Sequence, residues 1–373
     1  MNSIQLSKKI GGKIEIRSKE KLTEKNLPIL YTPGVASVSL AIAKNKKLSF
    51  DYTIRRNTIA VISDGSAVLG LGNIGPEAAL PVMEGKALLF KELGGVDAIP
   101  LVLDTQDPEE IIKTIKYLAP TFGGINLEDI SAPRCFEVEE RLKKELDIPV
   151  FHDDQHGTAI VVLAGLINAL KVVKKDIRKI KIVVSGAGAA GMAITKLLLR
   201  YGAKHVLVVD SQGIICRKRI KELNSSKKEI VKITNPHNLK GSLRDAIVGA
   251  DVFIGVSAPN ILKKEDVEKM NKKAIVFAMA NPTPEIMPDI AKKGGAEIVG
   301  TGRSDFSNQL NNVLVFPGIF KGVLKYRIKK ITDEHKLLAA KAIADLIKKP
   351  TADKIIPRAL DRRVVKVVSN VFK

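Results

Sequence analysis

A glycine-rich stretch in the middle of the chain constrains the fold more than any other feature of the sequence. Lys181 to Ser185 is an apolar run typical of a buried strand, Gly186 to Gly191 reads GAGAAG, and an apolar helix is predicted over Met192 to Arg200. A second apolar run, beginning at Val206, ends in the acid Asp210. A GxGxxG turn between strand and helix, followed about 20 residues later by an acid at a strand end, is typical of a dinucleotide-binding βαβ unit.

Each part of this turn has a physical task in binding a dinucleotide. The first two glycines allow a tight turn and a close approach of the pyrophosphate, and the third lets helix and strand pack closely. The helix N terminus adds N–H groups and a positive pole. The cofactor-binding residues predicted in the turn are Gly186, Gly188, Ala189, Ala190 and Gly191.

The acid at the end of the second strand bears on the choice of cofactor. Asp210 would accept hydrogen bonds from the ribose hydroxyls and repel a 2′-phosphate, which favours NAD. Arg217, Lys218 and Arg219 follow shortly and could pair with such a phosphate, so NADP stays open.

Predicted strands and helices alternate on both sides of the glycine-rich turn. The predicted strands are residues 58–63, 98–104, 123–130, 148–151, 181–185, 206–210, 251–257, 274–280, 297–300 and 311–318. This alternation is typical of an α/β fold with mainly parallel sheets.

The stretch HDDQH places two carboxylates, Asp153 and Asp154, between two imidazoles, His152 and His156. We predict that it holds a divalent metal where two domains join, just before an apolar helix over residues 158–173. Histidines four residues apart could bind zinc on a helical turn. Oxygen ligands could instead hold a harder ion, with the histidines packing in a loop.

A length of 373 residues is enough for two domains with full cores. We predict that residues 1–155 form an N-terminal α/β domain for substrate and metal. Residues 156–349 would form a Rossmann-type domain with a doubly wound parallel sheet for NAD. The basic tail, residues 350–373, is predicted to pack back on the N-terminal domain.

The composition is that of a soluble globular protein with a strong positive charge. Lysine and arginine number 61 against 40 acids, which gives a formal net charge of +21. A net charge of this size can favour binding to nucleic acid or to an anionic membrane. Because the lysines are scattered along the chain, we predict neither partner. Cys135 and Cys216 form no CxxC pair and favour a reducing cytoplasm. The longest apolar run, residues 159–170, is too short to cross a bilayer.

Several further motifs stand in the order known from one enzyme family. They are YTPGVA at 31–36, EGKA at 84–87, EDI at 128–130, HDDQHGTA at 152–159, the glycine-rich turn, NPT at 281–283 and NNV at 311–313. With these motifs the chain resembles the malic enzymes of the short prokaryotic type, from about residue 15 to its end. One departure is Asn260, where a glycine is expected.

The resemblance implies oxidative decarboxylation of L-malate to pyruvate and CO2 with reduction of NAD or NADP. The implied base that removes the C2 hydroxyl proton is Lys86, with Asp153 beside it. The implied acid that protonates C3 is Tyr31. Because a base must be neutral, burial and the charge of a metal are expected to lower the pKa of Lys86.

The resemblance also implies residues that bind the metal, the substrate and the cofactor. The implied ligands of Mg2+ or Mn2+ are oxygens of Glu128, Asp129 and Asp154. Asn281 and Asn312 are implied to bind malate, and Ser257 and Asn281 to lie at the cofactor. Adjacent strand residues point to opposite faces, so Glu128 and Asp129 can share a metal only where their strand has ended.

Relatives of this size imply a homodimer, with the Tyr31 region near the subunit contact. One alternative function is a related metal-dependent enzyme that converts malate to lactate without net NAD reduction. The other is a polyanion-binding protein that retains only the fold, for which steeply salt-dependent nucleic-acid binding is expected.

Overall fold

The structure is a computed structural model that describes residues 2–373, and its first half contains a small parallel sheet. The elements of this half are α1 (Ser3–Ile10), α2 (Leu27–Leu30), α3 (Val35–Lys44), α4 (Ser49–Tyr52), β1 (Thr58–Ser63), α5 (Pro76–Leu89), β2 (Asp97–Val102), α6 (Pro108–Leu118), β3 (Gly124–Leu127), α7 (Arg134–Glu145), β4 (Val150–His152) and α8 (Asp153–Val173). The strand order is β2-β1-β3-β4, and all pairs are parallel. The carboxyl ends of β1, β3 and β4 therefore lie side by side.

The second half contains a larger sheet. Its elements are β5 (Lys181–Ser185), α9 (Ala189–Tyr201), β6 (His205–Asp210), β7 (Gly213–Ile214), α10 (Ser225–Ile233), α11 (Leu243–Ile247), β8 (Val252–Gly255), α12 (Lys264–Val267), β9 (Ala274–Ala278), α13 (Pro288–Lys293), β10 (Ala296–Thr301), α14 (Phe316–Lys325), α15 (Asp333–Ala344) and α16 (Arg362–Ser369). The order is β10-β9-β8-β5-β6-β7, parallel except for the short β7. The chain leaves β5 first on one side and later on the other, which makes a crevice at its carboxyl end.

One hydrophobic core joins the two sheets. Helix α8 is apolar on almost every face, so all its sides must be covered. Its buried residues belong to the same cluster as Ile59 of β1 and Ile182 of β5. Helices α14 and α16 complete this core, and α16 also contacts the turn at residues 90–94.

The strand prediction for residues 311–318 was wrong. Asn312–Leu314 is a single 3-10 turn in which the Val313 N–H donates to the Asn311 side chain, and α14 then begins at Phe316. Pro317 stands in the first turn of that helix, where its missing N–H costs nothing, whereas it would remove a hydrogen bond from a strand.

The predicted start of α8 was also wrong, because HDDQH is a helical turn rather than a loop. His152 is the N-cap residue, and Asp153 and Asp154 occupy the first turn, where carboxylates interact favourably with the helix dipole. Gly157 does not interrupt the helix. An added Cβ there would overlap the Asp153 carboxylate, so the glycine makes room for that side chain.

Two segments, Leu27–Lys44 and Asp153–Val173, have the length and apolarity of a membrane span. The second is α8, which continues beyond the apolar run at 159–170 and is mostly buried within the protein, as expected of a core helix. The first comprises α2 and α3 with a turn between them, and none of its residues is buried.

Candidate active site and dinucleotide crevice

Three carboxylates converge where β3 and β4 end. Glu128, Asp129 and Asp154 each offer an oxygen within 4.8 Å of the other two. Strand β3 ends at Leu127, and Asp129 has a left-handed backbone (φ 54°), so two adjacent acids turn toward one point. The Asp129 N–H donates to Asp154 Oδ2 over 2.8 Å, which ties the loop to the first turn of α8.

Lys86 of α5 is buried beside this cluster. Its Nζ lies 2.6 Å from Asp153 Oδ2 and 2.8 Å from Glu128 Oε1. The ammonium also sits 4.3 Å from the centre of the Phe316 ring, a cation–π contact. Glu128 is held from its other side by the Asn126 amide, whose Nδ2 donates to Oε2 over 2.9 Å.

The charge state of Lys86 differs from the neutral amine expected of a base. Burial alone would lower the pKa of Lys86, but the carboxylates of Asp153, Glu128 and Asp154 outweigh burial and raise it. In the isolated chain Lys86 is therefore an ammonium ion that compensates two carboxylates.

The carboxylates of the cluster are buried close together, which disfavours their ionised forms and raises their pKa values. Burial, reinforced by mutual repulsion, raises the pKa of Asp129 to about 9. Burial is also the main reason that the pKa values of Glu128, Asp153 and Asp154 are raised. Asp129 Oδ2 and Asp153 Oδ1 are buried without a hydrogen-bond partner in the described part of the chain. Hard oxygen donors, excess negative charge and an orphaned carboxylate oxygen all fit a divalent cation such as Mg2+ or Mn2+.

Glu139 of α7, which sequence reasoning missed, anchors the turn that carries Asp153 and Asp154. One oxygen accepts from the His152 N–H over 3.0 Å and pairs with Lys143 at 2.6 Å. The other lies 2.9 Å from His156 Nε2. Burial alone would raise the pKa of Glu139, but the contacts with His156 and Lys143 lower it well below its usual value.

The two histidines do not form a zinc site. His156 is directed to Glu139, and burial lowers its pKa to about 3, so its ring is neutral. His152 is fully buried, and neither of its ring nitrogens has a hydrogen-bond partner in the described chain. Neither histidine belongs to the group of converging oxygen atoms of Glu128, Asp129 and Asp154.

The glycine-rich loop 64–75 lies against the cluster. The Ala67 N–H donates to the Asp129 carbonyl over 2.9 Å. The Ser66 hydroxyl accepts from the Ser131 N–H over 2.9 Å. An added Cβ at Gly70 would overlap the carbonyl oxygen of Asn281, so the loop after β1 meets the loop after β9.

The remaining predicted substrate residues differ in position. Asn312 is half-buried and packs beside Gly157, next to Asp153. Asn281 is exposed at the contact with loop 64–75. Tyr31 is 67% exposed on the turn between α2 and α3, and no described hydrogen bond joins its phenol to the cluster. The structure thus places Asn312 beside Asp153 and Asn281 at the loop that lies against the cluster, but it leaves Tyr31 apart.

The predicted dinucleotide turn follows β5 as expected. Gly186 has φ 113°, and α9 begins at Ala189 with Gly188 as its N-cap residue. An added Cβ at Gly191 would overlap the Gly186 carbonyl oxygen, whereas one at Gly188 would meet nothing within 4 Å. Gly191 therefore closes the helix onto the turn, and Gly188 leaves open space for a ligand.

A crevice of about 970 Å³ opens beside this turn, between β5, β6 and β8. Ser257 lines it, and the Ser257 hydroxyl lies 3.2 Å from that of Ser185. The buried carboxylate of Glu285, also missed from the sequence, accepts from the Ser257 N–H over 2.9 Å and from the Ala280 N–H over 3.0 Å. Glu285 thereby fixes the loops after β8 and β9 relative to each other.

Asp210 also lines the crevice, where it forms an ion-pair network. Arg219 approaches its carboxylate through two nitrogens at 3.0 and 3.2 Å, and Lys227 Nζ lies 2.7 Å away. Partial burial opposes ionisation, but hydrogen bonds from Arg219 and Lys227 outweigh it and lower the pKa of Asp210. Arg217 and Lys218 are exposed and do not belong to this network.

Asn260 lies in the loop after β8, and its conformation accounts for the departure noted in the sequence. Its backbone is left-handed (φ 57°), and its N–H donates to the Pro284 carbonyl over 3.1 Å. Asparagine tolerates this conformation better than other residues with a Cβ, so it can replace the expected glycine.

Fold and site together define a two-sheet α/β dinucleotide-dependent enzyme. A buried lysine and a carboxylate cluster lie against loop 64–75, which meets the loop after β9 of the sheet that carries the glycine-rich turn.

Comparison with known proteins specifies this class further. Residues 11–143 match the family model "Malic enzyme, N-terminal domain", and residues 155–372 match "Malic enzyme, NAD binding domain". The chain is 59% identical to an NAD-dependent malic enzyme of Geobacillus stearothermophilus, covering 96% of this chain and 75% of the relative. It is 55% identical to a bifunctional malic/malolactic enzyme of Bacillus subtilis, covering 98% and 90%. A crystal structure of an NAD-dependent malic enzyme from Thermotoga maritima superimposes with a TM-score of 0.97 at 51% identity, covering 100% and 99%.

The chain therefore belongs to the malic enzyme family, and it is a decarboxylating oxidoreductase with an NAD-binding domain. The family, the α/β fold and the enzyme class predicted from the sequence are confirmed.

Proposed function

We propose that this enzyme uses Mg2+ or Mn2+ to convert L-malate and NAD to pyruvate, CO2 and NADH. The observation that carries the proposal is the buried pair of Lys86 and Asp153 next to three converging carboxylates. A pair of this kind can exchange a proton with a substrate hydroxyl. The nearby carboxylates supply the oxygen ligands that such a metal prefers.

Lys86 is the proposed base for the C2 hydroxyl proton. It shares one proton with Asp153 across 2.6 Å, and transfer of that proton to Asp153 leaves a neutral amine. The raised pKa of Asp153 makes that carboxylate a suitable holder of the proton. The Phe316 ring covers the amine and keeps water from one side.

Glu128, Asp129 and Asp154 are the proposed metal ligands. A divalent cation held there would supply Lewis-acid polarisation of the substrate's C2 oxygen. The positive charge of such a cation would also offset the carboxylates that keep the Lys86 amine protonated.

Asn281 and Asn312 are the proposed partners of the malate carboxylates, since their amides can donate hydrogen bonds without adding charge. The glycine-rich turn, Asp210 and Ser257 are proposed to hold the NAD that accepts the C2 hydride. Tyr31 is the proposed acid that returns a proton to C3.

The test measures NADH and pyruvate formed from L-malate by protein stripped of metal with EDTA and then given Mn2+. We expect turnover only after Mn2+ is restored, and about a hundredfold loss or more in Asp154→Asn. The control Asp147→Asn removes a carboxylate that is 91% exposed and should keep full activity. Equal turnover with and without Mn2+ would exclude the proposed metal dependence.

Formation of lactate from malate without net NADH is a second candidate activity. It is favoured by the similarity to a relative named a bifunctional malic/malolactic enzyme. Quantifying pyruvate, lactate and NADH in one reaction separates the two, because the malic reaction gives equal amounts of pyruvate and NADH.

A homodimer is proposed from the exposed apolar surface of the N-terminal segment, which comprises residues 27–54. Its large exposed side chains are Leu27, Ile29, Leu30, Tyr31, Val35, Val38, Leu40, Tyr52 and Ile54. An apolar surface of this extent is typical of an interface. We expect Leu40→Lys to give monomers in sedimentation velocity, while Leu360→Lys, at a similarly exposed leucine outside the segment, leaves the dimer intact.

Such an interface would also cover Tyr31. Mixing inactive Tyr31→Phe with inactive Lys86→Ala then reports which copy supplies the phenol. Recovered activity assigns Tyr31 to the active site of the partner subunit, and absence of recovery assigns it to its own.

The division of labour along the chain is also proposed. Residues 1–155 would bind malate and metal, residues 156–349 would bind NAD, and residues 350–373 would brace the first unit. A cytoplasmic location is proposed because both cysteines are free and buried.

A further inference from the structure

A second cavity, of about 810 Å³, lies beside Glu139 and His156, outside the dinucleotide crevice. Phe136 is the one residue that lines both spaces. The walls of the cavity come from both halves of the chain. Helix α7 and the first turns of α8 belong to the first half, and α9, α10 and the start of α15 belong to the second. A ligand bound there would therefore contact both halves at once.

Lys336 of α15 brings a buried ammonium group to this cavity. Its side chain is 9% exposed, and its Nζ lies 3.0 Å from Asp333 Oδ1. Asp333 is half exposed and also binds Arg200 at 3.0 Å, so one carboxylate serves two cations. Burial, together with repulsion from Lys143, lowers the pKa of Lys336. The positive charge of Lys336 is therefore only partly compensated.

Lys143 of α7 is the second ammonium group at this place. Its Nζ lies 2.6 Å from Glu139 Oε1 and 3.1 Å from His156 Nε2. The same Glu139 oxygen accepts from the His152 N–H, and the other lies 2.9 Å from His156 Nε2. Both oxygens of Glu139 are thus engaged, and neither is within ion-pair distance of Lys336 in the described chain. An additional anion is what these two lysines lack.

The rest of the lining combines positive charge with an apolar wall. Seven basic side chains stand against five acidic ones around the cavity. Lys196 and Arg200 lie four residues apart on α9 and therefore share one face of that helix. Met192 and Leu197 of the same helix line the cavity together with Phe136. Such a lining suits a small molecule with an anionic group on an apolar body.

We propose that this cavity binds an organic phosphate monoester, with the phosphate between Lys143 and Lys336. The organic part lies against Phe136, Met192 and Leu197. A phosphate carries close to two negative charges and three terminal oxygens, so it can pair with two ammonium groups, whereas a carboxylate carries one charge. The bound ligand relieves the repulsion between the two lysines and joins α7 to α15. This site goes beyond the proposed function, because it needs neither malate nor metal.

The first test is calorimetric titration with phenyl phosphate at about pH 8, without divalent metal. The protein is saturated with NAD, so that the glycine-rich turn is occupied. We expect Lys336→Met to weaken phenyl phosphate about tenfold or more, the effect of losing a charge-assisted hydrogen bond. Lys341→Met is the matched control, because it removes an exposed lysine of α15 that does not line the cavity, and it should change affinity less than about twofold. Absence of binding to the wild type, or equal affinities of all three proteins, would overturn the site.

Because Lys336 is buried, an exposed variant keeps the test independent of folding. Lys196→Met replaces a side chain that is 53% exposed on the wall of the cavity. It should weaken phenyl phosphate about two- to threefold, as expected of a charge near the solvent. An affinity equal to that of the Lys341→Met control would count against a ligand that extends along α9.

The apolar wall is tested by comparing inorganic phosphate with phenyl phosphate on the wild type. Inorganic phosphate lacks the ring, so we expect it to bind at least about tenfold more weakly. Phenyl phosphate should also raise the unfolding temperature of the wild type, since it binds the folded state, but not that of Lys336→Met. Equal affinity for the two phosphates would overturn the role of Met192 and Leu197.

Discussion

The carboxylate cluster and the glycine-rich turn are built on opposite physical principles. The cluster collects charged side chains from α5, the end of β3 and the start of α8, and buries them together. The turn between β5 and α9 is one contiguous segment of glycine and alanine that offers backbone N–H groups and empty space. One site stores electrostatic repulsion that a cation can relieve, and the other is free of side-chain charge.

This difference determines how each site fails. A buried charge left without its partner is costly, so substitutions in the cluster affect chemistry and stability together. A turn that depends on the absence of Cβ atoms fails by steric overlap instead, and it tolerates substitution wherever the added atom meets open space.

The largest effect is expected for Lys86. Lys86→Arg should retain the pairing with Asp153 and Glu128 but cannot act as a base, because guanidinium does not lose its proton near neutral pH. We expect turnover to fall about a thousandfold, while calorimetry finds NAD affinity unchanged within about twofold. Turnover near that of the wild type would show that the cluster's lysine is only a counter-ion.

The turn is tested by a pair of glycines. Gly191→Ala should destabilise the protein by about 1–3 kcal/mol, since the Cβ overlaps backbone that cannot yield, and should weaken NAD binding. Gly188→Ala should change unfolding by less than about 0.5 kcal/mol, yet weaken NAD about tenfold because its methyl group fills the pyrophosphate space. Chemical denaturation and NAD titration of both variants provide the measurements. Equal destabilisation by the two would contradict the steric account.

The smallest effect is expected on the unfolding temperature when Asp129, one of the mutually repelling carboxylates, is replaced. The folded pKa of Asp129, about 9, lies above its ordinary value of 3.8. Its contribution to stability is therefore full below about pH 4 and is lost as pH rises through about 9. Without metal, Asp129→Asn should unfold about 5 °C above the wild type at about pH 9 and close to it at about pH 4.

Metal should reverse that order, which thermal unfolding with and without Mn2+ can measure. A cation stabilises the wild type by binding the folded state, whereas the asparagine variant loses a ligand. The exposed Asp147→Asn serves as the control for removal of one charge. Unfolding temperatures that do not depend on Mn2+ would contradict a metal site at these carboxylates.

The sequence predicted the turn far better than the cluster's surroundings. Gly186 to Gly191 form a local motif whose meaning depends only on a flanking strand and helix, and both are present. Glu139 was missed because its role depends on how α7 packs against the start of α8. Lys227 was missed because only the placement of α10 brings it to Asp210. The pKa of Lys86 was expected to fall through burial and the charge of a metal; in the chain alone, the nearby carboxylates of Asp153 and Glu128 raise it, and only their distances show this.

Helix α8 has a consequence for how the molecule unfolds. Its first turn carries Asp153 and Asp154, and the rest is apolar on nearly every face and packed within the core that both sheets share. Separating the sheets would expose this helix to water, which costs about 25 cal/mol per Å² of apolar surface. Neither half of the chain can cover α8 alone. Both sheets should therefore unfold in one cooperative transition. A proteolytic cut beside the helix should leave no stable half-molecule.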